Sequence, residues 1–384
     1  MVSLSKRDFL TAAAGFGATM IVPEALATEK KEVTPDSVFN VKAFGAKGDG
    51  VTSDTKAIQA ALDAAGKVSG TVWVPAGTYL CHDLKVPEHV TIKSDPAWIF
   101  APDTKGAVLK LDNPNASCLI NVTRSYGARI YGLTLQGIPK TPKPVHGIYI
   151  NNEKDFSPKE DSLVVDNVKV QYFSGNGIYL KRAWLFLIRH SQCYRNGMCG
   201  VMLYGWDGFV CDNQFSLNGM HGFGCDKVGA AIMFTGNRLE WNKGHGLRLC
   251  EWATWNVTGN SFDRNHGAGL YACRLNASTF TGNTFNRNGR DPSTVTGGGA
   301  QSCQIYLESC RGITCTGNVG LAGRDDGGGG ELTPRVAIVA KKMQYSIVKD
   351  NAFAMGFTEK LYEDLGGHGT DYIYKDNVGY PAKS

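Results

Sequence analysis

Two regularities and one opening segment predict an all-β chain folded as a right-handed, single-stranded parallel β-helix, a solenoid with an N-terminal capping helix. The first regularity is a recurring asparagine. The fragments Asp212-Asn213-Gln214-Phe215, Gly236-Asn237-Arg238-Leu239, Gly259-Asn260-Ser261-Phe262 and Gly282-Asn283-Thr284-Phe285 place their asparagines 24, 23 and 23 residues apart. Asn318, Asn351 and Asn377 continue the series at intervals of 35, 33 and 26, and Asn167 is an earlier member. The longer intervals hold Gly-rich insertions, Arg290 to Ala300 and Arg324 to Pro334. A repeat of this length cannot bury its apolar face alone, whereas stacked coils can. Asparagine at a fixed turn tolerates left-handed backbone and can hydrogen-bond to its counterpart one coil on.

The second regularity is a glycine followed by alternating apolar residues. Gly177-Ile178-Tyr179-Leu180 recurs as Gly200-Val201-Met202-Leu203, Gly246-Leu247-Arg248-Leu249 and Gly269-Leu270-Tyr271-Ala272. Period-two alternation over so few residues means a short strand with one face inward, so each repeat holds two or three strands. The opening segment supplies the cap. From Ser53 to Ala65, with Ser53 as N-cap and Asp54 in the first turn, Ile58, Ala61, Leu62 and Ala65 form one apolar stripe of a helix. Such a helix would cover the strand edges of the first coil, which otherwise invite aggregation. Gly70 to Tyr79 then reads as strand, turn, strand. The Leu-x-x-Leu-x-Leu frame of leucine-rich repeats is missing.

Composition agrees with a folded chain of this kind. Of 384 residues, 42% are hydrophobic and 20% charged, too apolar for disorder. The 47 glycines follow no Gly-X-Y period, which excludes collagen. The net charge of +5 suits an acidic ligand without demanding one. Scattered Lys and Arg, with no basic run or zinc spacing, argue against nucleic acid as a partner. The 11 cysteines are odd in number and lack Cys-x-x-Cys spacing. Cys211, Cys225 and Cys315 fall where the repeat wants a small apolar side chain, so buried thiols are expected.

Residues 1–27 read as an export signal. Lys6-Arg7-Asp8-Phe9-Leu10 precedes an apolar run to Val22, and Ala25-Leu26-Ala27 offers a cleavage site. The run is too short to span a bilayer, so no stable membrane anchor is expected. The basic pair resembles a twin-arginine signal with lysine in place of the first arginine, which leaves the twin-arginine and general secretory routes open. A linker over 28–36 and a β-helix over 37–380 would follow, in a periplasmic or secreted protein.

The segment from Phe39 to Thr55, running Phe-Asn-Val-Lys-Ala-Phe-Gly-Ala-Lys-Gly-Asp-Gly-Val-Thr-Ser-Asp-Thr, together with Val74-Pro75-Ala76-Gly77-Thr78-Tyr79, resembles the start of the pectate-lyase-like superfamily. Polygalacturonases, rhamnogalacturonases, related lyases and phage tailspikes share that opening. The resemblance implies the β-helix and a polysaccharide partner, but not one reaction, since members include hydrolases, lyases, epimerases and plain binders. Gly244-His245-Gly246 and Asp325-Asp326 match polygalacturonase motifs in the wrong order, and that family's Asn-Thr-Asp and Arg-Ile-Lys are absent. The Asp-Pro-His-Asp motif of alginate epimerases is absent too.

Register locates a candidate groove. In each glycine-led strand the first and third residues after glycine point inward, and the second and fourth outward. The second position reads Tyr179, Met202, Gly224, Arg248, Tyr271 and Tyr306. The fourth and fifth add Lys181, Arg182, Tyr204, Asp226, Lys227, Glu251, Arg274 and Glu308. With coils about 4.8 Å apart, these side chains would line up as one stripe of aromatics and mixed charge suited to a polysaccharide. The expected catalytic centre is Asp226, Lys227, Arg248, Glu251, Tyr271 and Arg274, with Tyr179, Arg182, Tyr204, Tyr306 and Glu308 as substrate contacts. The Gly-rich insertions would wall this groove if both leave on the same side. His146, His221 and His245 each precede the repeat glycine, as Asn176 does in its coil. They serve there as turn filler, or His221 and His245 contact substrate or act as base.

Three functions fit: a lyase or epimerase on a uronate polymer, a glycoside hydrolase using Asp226 and Glu251, and a tailspike-like binder. The lyase would draw charge from Lys227, Arg248 and Arg274. No cofactor or metal ligand set is evident, although calcium is compatible with this chemistry.

Overall fold

The computed structural model describes residues 37–383 apart from 101–104, 154–157 and 296–300. The expected export signal and linker therefore lie outside the described residues, as does the end of the first insertion. The described residues are 47% strand and 6% helix. Each coil contributes three short strands, for example Leu247–Cys250, Trp255–Thr258 and Ser261–Asp263, and every strand pairs in parallel with its counterpart on the next coil. The first two faces merge into one 22-stranded sheet because Ile178–Arg189 and Val201–Cys211 run through the corner between them, while the third face is a 13-stranded sheet. Phe215, Phe234, Phe262, Phe280, Phe285 and Phe353 are fully buried along the axis. The rings of Phe262 and Phe285 stack at 4.7 Å, one coil apart.

The asparagine series forms a continuous ladder between the second and third faces. Each side-chain amide donates to the next side-chain oxygen, from Asn213 through Asn237, Asn260, Asn283, Asn318 and Asn351 to Asn377, at 2.8–3.1 Å. The left-handed backbone, however, belongs to the residue before each asparagine: Asp212 (φ 57°), Gly236 (69°), Gly259 (67°) and Gly282 (63°). Asn167 sits at that preceding position (φ 57°), and the ladder contact of its coil comes from Ser191, whose hydroxyl accepts the Val168 N–H. Asn167 is thus outside the ladder.

A second ladder, not anticipated from the repeat, crosses the opposite turn. Asn196, Asn218, Asn242, Asn265 and Asn288 link in the same way and end on Gln304, at 2.8–3.1 Å. Buried amides without partners would each cost on the order of 1–3 kcal/mol, and the stacking itself supplies those partners.

The capping helix spans Thr55–Gly66 and buries Ile58, Ala61, Leu62 and Ala65, the expected stripe. Its N-cap is Asp54 rather than Ser53. The buried Asp54 carboxylate accepts the N–H groups of Lys47 (2.6 Å) and Gly48 (2.9 Å), so it ties down the preceding loop rather than its own helix. Strands Thr71–Trp73 and Gly77–Cys81 follow.

Candidate functional site

The outward column of the first face is continuous. Tyr149, Tyr179, Met202, Gly224, Arg248, Tyr271, Tyr306 and Val339 are register partners on successive coils. Pointing away from the core does not make them accessible. Met202 and Arg248 are 9% exposed, Tyr271 3% and Tyr306 6%. Tyr271 and Tyr306 join Cys250, Cys273, Cys303, Val336 and Val339 in a second apolar cluster on the outside of the sheet.

The expected catalytic centre is therefore not one open groove. Arg248 pairs with Asp226 and lies 5.6 Å from the Tyr271 ring centroid. Glu251 and Arg274 pair at 3.0 Å, but at the corner after the strand, both in left-handed backbone (φ 68° and 56°). Strand register alone could not reveal that corner, because an added turn residue moves the side chain off the strand face. Glu308 is held by Lys341 at 3.0 Å.

His221 and His245 are buried and stacked at 5.4 Å, and the His221 Nδ1 accepts the His245 N–H at 3.0 Å. Asn176 Oδ1 does the same for Cys199, and His146 Nδ1 for Asn176, both at 3.0 Å. The histidines fill the turn as amide substitutes, and burial withdraws His221 and His245 as substrate contacts. The buried setting pushes the His221 pKa well below its usual value and that of His146 to about 4. A depressed histidine pKa favours folding above the unfolded value of about 6.5, and that contribution is lost as pH falls towards the folded value. We expect unfolding free energy, measured by denaturant titration, to be level between about pH 7 and 8, below the range where cysteines ionise in the unfolded chain, and to fall below 6.5 by up to about 1.4 kcal/mol per pH unit for each such histidine. His221→Asn should keep the turn and shed its share of the slope; an unchanged slope would remove His221 from the account.

The two insertions leave the stack at the same turn on adjacent coils, before the paired strands Cys303–Glu308 and Val336–Lys341. Asp326 is clasped by Arg264 and Arg287, both also bound to Asp263, and Asp325 pairs with Arg290. Asp325-Asp326 thus anchors the second insertion. A cavity of about 440 Å³ between the insertions is lined by two ion pairs, Arg335 with Glu359 at 2.6 Å and Lys360 with Glu363 at 3.0 Å, and by Arg290 and Glu331. Among the described residues no aromatic ring lines it.

A different cavity, of about 360 Å³, gathers the chemistry the stripe suggested. Glu153, Tyr179, Lys181, Arg182, Tyr204, Trp206 and Lys227 line it. Strand pairing slips between Lys181 and Ala183, and again one coil on between Leu203 and Gly205. Such irregularities bend a strand and re-aim its side chains. Two at one corner, with Arg182 in left-handed backbone (φ 58°), open the wall between the first and second faces. The rings of Tyr179 and Tyr204 meet edge to face at 6.0 Å, and Tyr179 stacks on His146 at 4.8 Å. Lys181 Nζ and Glu153 Oε2 are 2.5 Å apart. Burial raises the Tyr179 pKa and pushes that of Tyr204 up to about 12, so both phenols hold their protons at neutral pH. The hydrogen bond between Lys181 and Glu153 raises the first pKa and lowers the second.

Alternation after the repeat glycine marks Tyr179, Lys181, Arg182, Tyr204 and Lys227 in the sequence, whereas Trp206 and Glu153 fall outside it. Trp206 lies beyond the slip at Gly205, where simple alternation stops tracking. Among the described residues no group of three or more His, Cys, Asp or Glu is placed to hold a metal ion.

Comparison with known proteins agrees with this architecture. Residues 38–108 match the family described as rhamnogalacturonase A/epimerase, pectate lyase-like, and residues 118–285 match the right handed beta helix region family. The chain is 33% identical over 225 residues to mannuronan C5-epimerase AlgE5 of Azotobacter vinelandii, a match covering 54% of this chain and 22% of that protein. It is 34% identical over 199 residues to alginate lyase 7 of the same organism, covering 48% and 23%. The matched regions are thus under a quarter of those relatives' length. The solved A-module of the A. vinelandii epimerase AlgE6 superposes with a TM-score of 0.62 at 20% identity, over 89% of this chain and 99% of that one. With both family matches, the shared opening and the coil stack in agreement, the chain is similar to pectate-lyase-like proteins and shares their right-handed β-helix fold.

Proposed function

We propose that this protein modifies an acidic polysaccharide by removing the C5 proton of a uronate unit, as a lyase or an epimerase, in the cavity around Tyr179, Lys181 and Tyr204. One observation carries the reading: three cationic side chains and three aromatic rings converge on one opening. Rings stack on sugar faces, and cations neutralise the carboxylate whose charge otherwise keeps the C5 proton tightly held. Lys181 and Arg182 are the neutralising pair. The Lys227 amine, in its uncharged form, is the group that can take the C5 proton, and the phenols of Tyr179 and Tyr204, which hold their protons, are the groups that can give one to the departing C4 oxygen or back to C5. Loss of the C5 proton followed by departure of the C4 oxygen gives a lyase, and return of a proton to the opposite face gives an epimerase. Similarity to a mannuronan epimerase and an alginate lyase supports the same pair of outcomes.

A hydrolase built on Asp226 and Glu251 would need both carboxyl groups directed at one glycosidic bond. Each is instead engaged by its own arginine, one on a strand and one at a corner. The test is incubation with mannuronan, mixed alginate, polygalacturonate and a neutral glucan. Ultraviolet absorbance from an unsaturated end marks a lyase, and a changed uronate ratio by NMR without cleavage marks an epimerase. Reducing ends without absorbance would overturn the proposal in favour of hydrolysis, and retention without any change would favour a binder.

A further inference from the structure

We propose that Glu153 is an internal stand-in for the substrate's carboxylate, occupying the cationic cluster of the free protein so that a uronate must displace it. This rests on the uronate-polymer reading above. Glu153 meets Lys181 at 2.5 Å on the rim of the cavity that Arg182 and Lys227 also line. Its carboxylate feels all three cations, with the Lys181 hydrogen bond the largest influence. The side chain is 56% exposed against 29% for Lys181, so the acid covers the base from the solvent side.

The backbone beneath Glu153 is firmly held. Asn152 is buried, and its amide donates to Asp161 Oδ1 at 2.9 Å, while Asp161 accepts the Trp184 N–H at 2.7 Å. The Glu153 N–H itself donates to Asn151 Oδ1 at 3.1 Å. A fixed root with an exposed tip puts one carboxylate at high local concentration beside the cations without locking it there. Ion pairs this exposed are weak and readily exchanged.

The consequence is selectivity. A carboxylated sugar replaces the Glu153 contact with an equivalent one and frees its rings to stack, whereas a neutral sugar offers Lys181 nothing in exchange. Glu153 thereby raises the affinity threshold for every ligand and lets mainly carboxylates cross it.

Calorimetry of the full chain with tetramers of mannuronate and of galacturonate, and with cellotetraose as neutral control, tests this. Glu153→Gln should bind at least one uronate tetramer about 3- to 10-fold more tightly than wild type, with a steeper loss of affinity as salt is raised. Equal affinity in the two proteins would overturn the role of Glu153 and leave the uronate reading intact. Weaker binding by Glu153→Gln would make Glu153 a direct substrate contact and likewise overturn the stand-in. Failure of both proteins to bind either uronate tetramer would instead overturn the uronate reading. Circular dichroism of the variant confirms that the coil stack is retained.

Discussion

Tyr204→Phe is expected to lower kcat on the responsive uronate polymer by about 10²-fold or more while leaving KM within a few fold. The substitution removes only the phenolic hydroxyl. The ring that meets Tyr179 at 6.0 Å stays, so substrate stacking survives while a proton-exchanging group is lost. Burial holds the Tyr204 pKa up at about 12, so the phenol keeps its proton at ordinary pH and stands as a donor rather than a base. Lys181→Ala should cost about 10²- to 10³-fold in kcat/KM, because the charge facing the developing enolate disappears. Tyr271→Phe is the discriminating control. Tyr271 is 3% exposed within the outer apolar cluster, so its hydroxyl should not matter to turnover. Activity lost in Tyr271→Phe but kept in Tyr204→Phe would move the site back to the coils around Arg248.

The second large effect concerns the scaffold. Gly222→Ala should destabilise the protein by about 3 kcal/mol, measured as a shift in urea unfolding midpoint. A Cβ at Gly222 would lie 2.7 Å from the carbonyl oxygen of Gly246 and 2.8 Å from the Asn242 amide nitrogen. Gly177, Gly200 and Gly246 meet the next coil's glycine carbonyl in the same way, at 2.5–2.7 Å. Backbone facing backbone in a hydrogen-bonded stack has little room to yield. Gly259 is the contrast: its φ is +67° and nothing lies within 4 Å of an added Cβ. Gly259→Ala should cost only about 1 kcal/mol, from left-handed backbone alone. Equal losses at the two positions would show that coil spacing is not what selects the repeat glycine.

The architecture was legible in the sequence because a solenoid repeats one local problem. Every coil must turn at the same places, satisfy the same buried amides and bury the same strand face. Asparagines, glycines and apolar alternation therefore recur at one interval, and the cap shows as a single stripe from Ile58 to Ala65. The second ladder, at Asn196, Asn218, Asn242, Asn265 and Asn288, was equally regular, at intervals of 22, 24, 23 and 23. It escaped because the residue after each asparagine varies among Gly, Lys and His, which hides the motif but not the turn.

The site was legible only in part. Residue types and strand parity in the sequence marked the outward face of the glycine-led strands, and with it Tyr179, Arg182, Tyr204 and Lys227. Which stretch of that face is open depended on contacts between coils. Tyr271 and Tyr306 are closed off because neighbouring cysteines and valines pack around them, and Arg248 because Asp226 takes its charge. The cavity exists where two coils slip register at the same corner, and a slip of that kind is a relation between strands that no single repeat encodes. Alternation along one strand determines which way a side chain faces; only the stacked neighbours decide whether it meets solvent, another side chain or a partner's charge.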